Sequence, residues 1–99
     1  MNVQVTRRNA VDTDEVEARA LSLVEELPGA VERVALAKFA LERREPSTCA
    51  VAVVLAFADG EESLVRQASA PDWERALLEL ERKLARAWEE HASEAPPAG

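Results

Sequence analysis

Residues 50–58 read AVAVVLAFA, nine consecutive positions without a polar side chain. Valine and phenylalanine favour strands, and Asp59-Gly60, which follows at once, is a strong hairpin signal. The run is far too short to span a membrane. It predicts a central strand whose buried face carries Val51, Val53, Leu55 and Phe57.

Amino-terminal to this strand, the chain predicts one strand and one helix. Residues 1–6 alternate between apolar and polar side chains, which is typical of a half-buried strand. Apolar residues then recur at steps of three and four, and Asp12 or Thr13 can cap the helix that they predict. Pro28-Gly29 ends this helix near residues 26–27.

Three further segments complete the predicted sheet. Residues 31–43 alternate, and we interpret them as a second strand, although their alanine content also allows a helix. Residues 45–48 then form a turn, so that the central strand returns antiparallel to the second. Residues 61–69 predict a fourth strand at an edge of the sheet. One face of this fourth strand carries Leu64, Arg66 and Ala68.

The last predicted element is a long amphipathic helix. Pro71 and Asp72 suit its first turn, and it is expected to run to about Glu90. Its apolar stripe consists of Trp73, Leu77, Leu80, Leu84, Ala87 and Trp88. Residues 91–99 are polar and include Pro96-Pro97, which predicts a disordered tail after a single domain formed by residues 1–90.

The predicted order is therefore β-α-β-β-β-α, an α+β fold. Its four-stranded mixed sheet has two helices packed on one face. The first and second strands are joined through a helix, which makes them a parallel crossover pair.

Composition limits the classes of function. With 99 residues the chain is long enough for one domain with a modest core. The lone cysteine, Cys49, excludes an internal disulfide, and the first residues lack a secretory signal, so a cytoplasmic location is expected. The formal net charge of −7 opposes long-range attraction to nucleic acid, and DNA and membranes are not expected partners.

The residues that usually carry catalysis are scarce. The chain has one histidine, one cysteine and no tyrosine. It has no glycine-rich phosphate loop, no histidine and cysteine cluster with metal-ligand spacing, and no nucleophile elbow. We therefore predict a non-enzyme without a cofactor or a metal site.

Two surfaces could bind a partner. On the last helix, Arg75, Arg82 and Arg86 share one flank with Lys83 beside them, an arrangement that suits phosphate binding. Glu79 and Glu90 lie four residues from these cations, so the flank can equally be a solvated face with ion pairs.

The second surface is the sheet face that the helices leave open. The alternation of the central strand places small apolar residues there, at Ala50, Ala52, Val54 and Ala56. A contiguous apolar patch would mark a homodimer or partner interface, whereas isolated alanines simply tolerate exposure.

Short motifs in a fixed order resemble the ribosome hibernation factors, the family of hibernation-promoting factor and ribosome-associated inhibitor A, also called sigma-54 modulation proteins. Residues 1–9, MNVQVTRRN, resemble the opening strand of that family and its Arg-Asn turn. Arg33-Val34 and AKFAL at residues 37–41 resemble its second strand. Asp72, Leu77 and ERKL at residues 81–84 resemble its closing helix.

The resemblance implies a fold similar to double-stranded RNA-binding domains. It also implies binding to the RNA of the small ribosomal subunit and inhibition of translation on idle ribosomes, as in a stress response. RNA-contact roles are then expected for Arg7, Lys38, Arg82, Lys83 and Arg86. The alternative is the same fold without RNA binding, as an acidic interaction module that is homodimeric through its open sheet face.

Overall fold

A computed structural model describes residues 1–44, 47–60 and 62–94, and its elements run in the order β-α-α-β-β-β-α. They are β1 (Asn2–Arg8), α1 (Asp14–Glu25), α2 (Ala30–Arg33), β2 (Val34–Arg44), β3 (Thr48–Phe57), β4 (Leu64–Ala70) and α3 (Trp73–Glu94). The predicted α+β class is confirmed, and the one-turn helix α2 is an addition to it.

The four strands form one mixed sheet in the order β1-β2-β3-β4. β1 pairs with β2 in parallel, whereas β2 with β3 and β3 with β4 are antiparallel. The predicted crossover is confirmed, because parallel neighbours require a connection that returns to the same end of the sheet. β1 and β4 are the two edges.

The core lies between the sheet and α3. This helix rests mainly on β3 and β4, and α1 packs against α3. Every second residue of β3 is buried, including all four predicted from the alternation. The predicted apolar stripe of α3 is buried as well, except for Trp73, which is half-buried at its margin. Each large side chain buried here stabilises the fold by about 1.5–3 kcal/mol.

β1 is not the half-buried strand that its alternation predicts. All seven of its residues are exposed, and even Val3 and Val5, which share the helix-facing side, are 40% and 37% accessible. Because α3 lies over β3 and β4, the helical layer leaves this edge of the sheet largely open.

The second strand begins at Val34 rather than at residue 31, since residues 30–33 form the helical turn α2. Gly29 precedes this turn with a φ of 75°, a conformation that glycine adopts without strain. Its carbonyl accepts a hydrogen bond from the backbone N–H of Arg33 at 3.1 Å.

The fourth strand is observed as β4, with Leu64 and Ala68 buried and Arg66 half-buried on the predicted common face. The predicted turn at residues 45–48 is described only from Ser47 onward, and Glu61 also lies outside the described residues.

α3 continues to Glu94, four residues beyond its predicted end near Glu90. His91 therefore belongs to the helix, and its ring stacks on Phe57 with 4.6 Å between centroids. Residues 95–99 of the predicted tail lie outside the described residues. Within the described ranges, no helix is long and apolar enough to cross a membrane.

Candidate nucleic-acid interface

A groove of about 550 Å³ runs between the edge strand β4 and the helix α3, and three cations line it. Lys83 and Arg86, two of the residues expected to contact RNA, come from α3, and Arg66 comes from β4. Glu90 lies in the same groove, so its formal charge is +2. We call this groove the cationic groove.

Local structure fixes the positions of the three cations. Lys83 and Arg86 are three residues apart on α3, which places them on one face of the helix. Arg66 lies opposite Val53 on the helix-facing side of β4. The ammonium group of Lys83 donates a hydrogen bond to the backbone carbonyl of Gln67 at 2.8 Å, which ties α3 to the edge strand.

Two arginines on α3 take part in ion pairs with their own helix. The Arg82 guanidinium lies 3.2 Å from a carboxylate oxygen of Glu79, and that of Arg86 lies 3.6 Å from Glu90. Both arginine side chains are at least 75% exposed. Exposed pairs of this kind contribute about 0–1 kcal/mol, so a phosphate group can replace the carboxylate at little cost.

Arg7 lies away from this groove, on β1. Its guanidinium forms a hydrogen bond to Glu17 and a second contact to Asp14 at 3.1 Å. The hydrogen bond to Glu17 raises the pKa of Arg7 above its ordinary value. These contacts tie β1 to α1.

Lys38 lies in a third place, on the open face of the sheet. It is exposed, opposite Val54 in the register of β2 and β3. Of the five expected RNA contacts, the structure thus brings together only the three on α3, which are Arg82, Lys83 and Arg86. Of these three, Lys83 and Arg86 line the cationic groove and Arg82 does not.

The open face also carries the residues predicted as an interface. Alternate residues of β3, on the side away from the buried core, are half-buried, and they are Ala50, Ala52, Val54 and Ala56. Leu36 and Ala40 of β2 adjoin this strip, opposite Ala56 and Ala52. The apolar strip of β3 therefore extends to two positions of β2, with the exposed Lys38 between them.

The cysteine and the metal-ligating types of side chain form no candidate centre in the described residues. Cys49 is buried, and its sulfur lies 4.0 Å from the carbonyl oxygen of Pro71. Within residues 1–44, 47–60 and 62–94 there is no group of three histidine, cysteine, aspartate or glutamate side chains that could hold a metal ion.

Arg66 is the residue of this groove that sequence reasoning did not assign. The sequence does contain a signal for it, because Arg66 shares the predicted strand face of the apolar Leu64 and Ala68, and an arginine beside buried residues needs a route to solvent. The groove beside α3 provides that route.

Comparisons with known proteins bear on the fold. No protein-family model matches the sequence, and neither does any curated protein. Among solved structures, a ribosomal subunit interface protein from Coxiella burnetii matches with a TM-score of 0.81 and 11% identity, covering 95% of this chain and 100% of that chain. The N-terminal domain of Protein Y from Thermus thermophilus matches with a TM-score of 0.62 and 18% identity, covering 87% and 98%. The resemblance to ribosome-associated factors is thereby confirmed at the level of the fold, which this chain shares with both proteins.

Proposed function

We propose that the protein is a non-enzymatic, ribosome-associated cytoplasmic factor that binds the RNA of the small subunit and inhibits translation. The observation that carries the proposal is the cationic groove, in which Arg66, Lys83 and Arg86 converge although the whole chain has a net charge of −7. The shared fold with a ribosomal subunit interface protein supports the same function.

The mechanism would be recognition of RNA without chemistry. Folded RNA is read largely through its shape and its phosphate groups. The guanidinium of Arg66 or Arg86 can contact a phosphate through two N–H groups, and the Lys83 ammonium adds a compact charge. A protein bound in the decoding region would exclude messenger and transfer RNA from an idle ribosome.

Co-sedimentation with purified bacterial small subunits at low and moderate salt tests this proposal. Binding should weaken steeply with salt, because each phosphate contact releases counterions. The variant Lys83→Ala/Arg86→Ala should lower the salt dependence by about one unit of slope for each lost contact. Arg19→Ala/Arg43→Ala removes the same charge outside the groove and should bind nearly as wild type.

The outcomes separate the function from the assigned residues. Equal binding by both double variants would reject the cationic groove as the RNA contact. Absence of binding by the wild-type protein at either salt concentration would reject the function. If the wild-type protein binds, three single variants show which of the remaining cations contribute to that binding: Arg66→Ala, Arg7→Ala and Lys38→Ala.

A second candidate is an acidic interaction module that dimerises through its open sheet face. The observation that favours it is the apolar strip of β3, continuous with Leu36 and Ala40 on β2. An open sheet face normally alternates to polar residues, and here the central strand β3 is apolar, with Lys38 of β2 beside it.

A further inference from the structure

A second groove, of about 450 Å³, lies on the opposite flank of α3, where that helix meets the end of α1. Its floor is apolar and includes Leu23, Leu27 and Trp88. Its rim carries Glu26 from the end of α1 and Glu81 and Glu89 from α3. We call it the acidic groove.

The floor of the acidic groove is held in place by the core. Leu27 and Trp88 are buried, and Leu23 is half-buried against them. The indole N–H of Trp88 donates a hydrogen bond to the carbonyl oxygen of Pro28 at 2.9 Å, which joins α3 to the segment after α1. The groove is therefore already formed before a ligand binds. Ordering of this protein's own side chains should then add little to the entropic cost of binding.

The charge of the acidic groove is negative. Glu26, Glu81 and Glu89 are exposed, and no salt bridge to any of them occurs within the described residues. Arg33 is the only cation among the lining residues, and its guanidinium lies over the Trp88 ring at 4.9 Å from the centroid. The lining thus has a formal charge of −2, three carboxylates against one guanidinium.

We propose that the acidic groove is a docking site for a basic amphipathic segment of a protein partner. Lysine or arginine side chains of that segment would meet the three carboxylates, and its apolar side chains would contact Leu23 and the small exposed parts of Leu27 and Trp88. An RNA strand is repelled by the same carboxylates. This inference goes beyond the proposed function, because it concerns the other flank of α3 and requires no ribosome.

The test uses the full chain and a short, dye-labelled amphipathic peptide of lysine, leucine and alanine, followed by fluorescence anisotropy. A peptide with glutamate in place of lysine should not bind. Glu81→Lys/Glu89→Lys should weaken binding of the lysine peptide by about tenfold or more, since it reverses two of the three rim charges. Glu15→Lys/Glu62→Lys makes the same charge change at exposed positions outside the groove and should alter affinity by less than about threefold.

Amide chemical-shift mapping locates the peptide. Shifts confined to residues 23–27, Arg33 and residues 81–89 support the proposal, whereas shifts on β4 or on the open sheet face overturn it. Equal weakening in both charge-reversal variants, or no binding by wild type, also overturns it.

Glu81→Gln/Glu89→Gln, a smaller change, should still weaken binding if the lysine variant fails to fold. Lys83→Ala/Arg86→Ala should bind the peptide as wild type, which separates this result from the outcome of the RNA experiment.

Discussion

Trp88 joins several parts of the core. It is 4% exposed, hydrogen-bonded to Pro28 and covered by the guanidinium of Arg33. Trp88→Phe removes the donor of this part-buried hydrogen bond together with part of the buried ring, so the free energy of unfolding should fall by about 1–3 kcal/mol. Urea denaturation measures this change.

Trp73→Phe is the matched control, because Trp73 is half-buried and no hydrogen bond from its indole is seen in the described residues. It should cost less than about 1 kcal/mol. Equal destabilisation by the two variants would show that ring size, rather than the hydrogen bond, sets the contribution of Trp88.

Glu42 is a surface carboxylate between two arginines at one end of the sheet. A hydrogen bond from Arg44 lowers the pKa of Glu42 below its ordinary value of 4.5, and the positive charge of Arg8 acts in the same direction. Because the pKa is lower in the folded state, this contribution to stability is present at neutral pH and is lost as the pH falls through the folded-state pKa.

The pKa of Glu42 can be measured by NMR titration of its carboxyl carbon. Arg44→Ala should raise it towards 4.5, since Arg44 is the main cause of its depression. Arg43→Ala is the control, because Arg43 lies on the other side of β2 and should leave the titration unchanged. A midpoint that does not move in Arg44→Ala would contradict the role of the ion pair.

At the scale of the element, α3 depends on its first turn. Asp72 precedes the helix, and its carboxylate accepts a hydrogen bond from the backbone N–H of Arg75 at 2.8 Å. Asp72→Ala leaves that N–H without its cap and should lower the free energy of unfolding by about 1 kcal/mol. Thermal unfolding followed by circular dichroism measures the loss. Asp72→Asn keeps an acceptor oxygen and should be milder; a loss as large as that of alanine would assign the effect to charge rather than to capping.

The elements that could be predicted are those whose pattern spans several repeats. β3 and α3 each carry a long apolar pattern that only one secondary structure buries, and both were confirmed. The single turn α2 is too short to show a helical period, so the alternation assigns residues 31–33 to the strand. The exposure of β1 depends on where α3 lies across the sheet, which no local pattern contains.

The cationic groove was predictable only in part, for the same reason. Helical spacing alone places Lys83 and Arg86 on one face of α3. Arg66 joins them only because α3 packs against the edge strand β4. Lys38 and Arg7 are separated from them by strand alternation and by the position of β1 at the far edge.

For the molecule as a whole, the net charge of −7 conceals an unequal distribution. The β4 flank of α3 presents Lys83 and Arg86, whereas the α1 flank presents Glu81 and Glu89. RNA would repel a uniformly acidic protein in every orientation. A surface with one cationic and one acidic flank instead favours the orientation in which the cationic flank faces the RNA. If the protein binds RNA as proposed, the salt dependence of that binding should report on the cationic groove rather than on the net charge.

The size of the open sheet face limits what it can do. With strands about 4.8 Å apart and about 3.3 Å per residue, four strands over the length of β3 present roughly 600 Å². A stable interface buries about 800 Å² per partner. Self-association through this face alone would therefore be weak and should depend on protein concentration.

Sedimentation velocity over a concentration series tests that association. If the apolar strip of β3 is the interface, wild type should shift towards a dimer at high concentration, and Ala52→Glu/Ala56→Glu should remain a folded monomer, because its carboxylates would be buried unpaired in the dimer. Ala18→Glu/Ala85→Glu adds the same charge at exposed positions on the two helices, outside the sheet face, and should associate as wild type. A wild-type protein that stays monomeric at every concentration, or a sheet-face variant that still dimerises, would reject the interface and leave the flanks of α3 as the surfaces for partners.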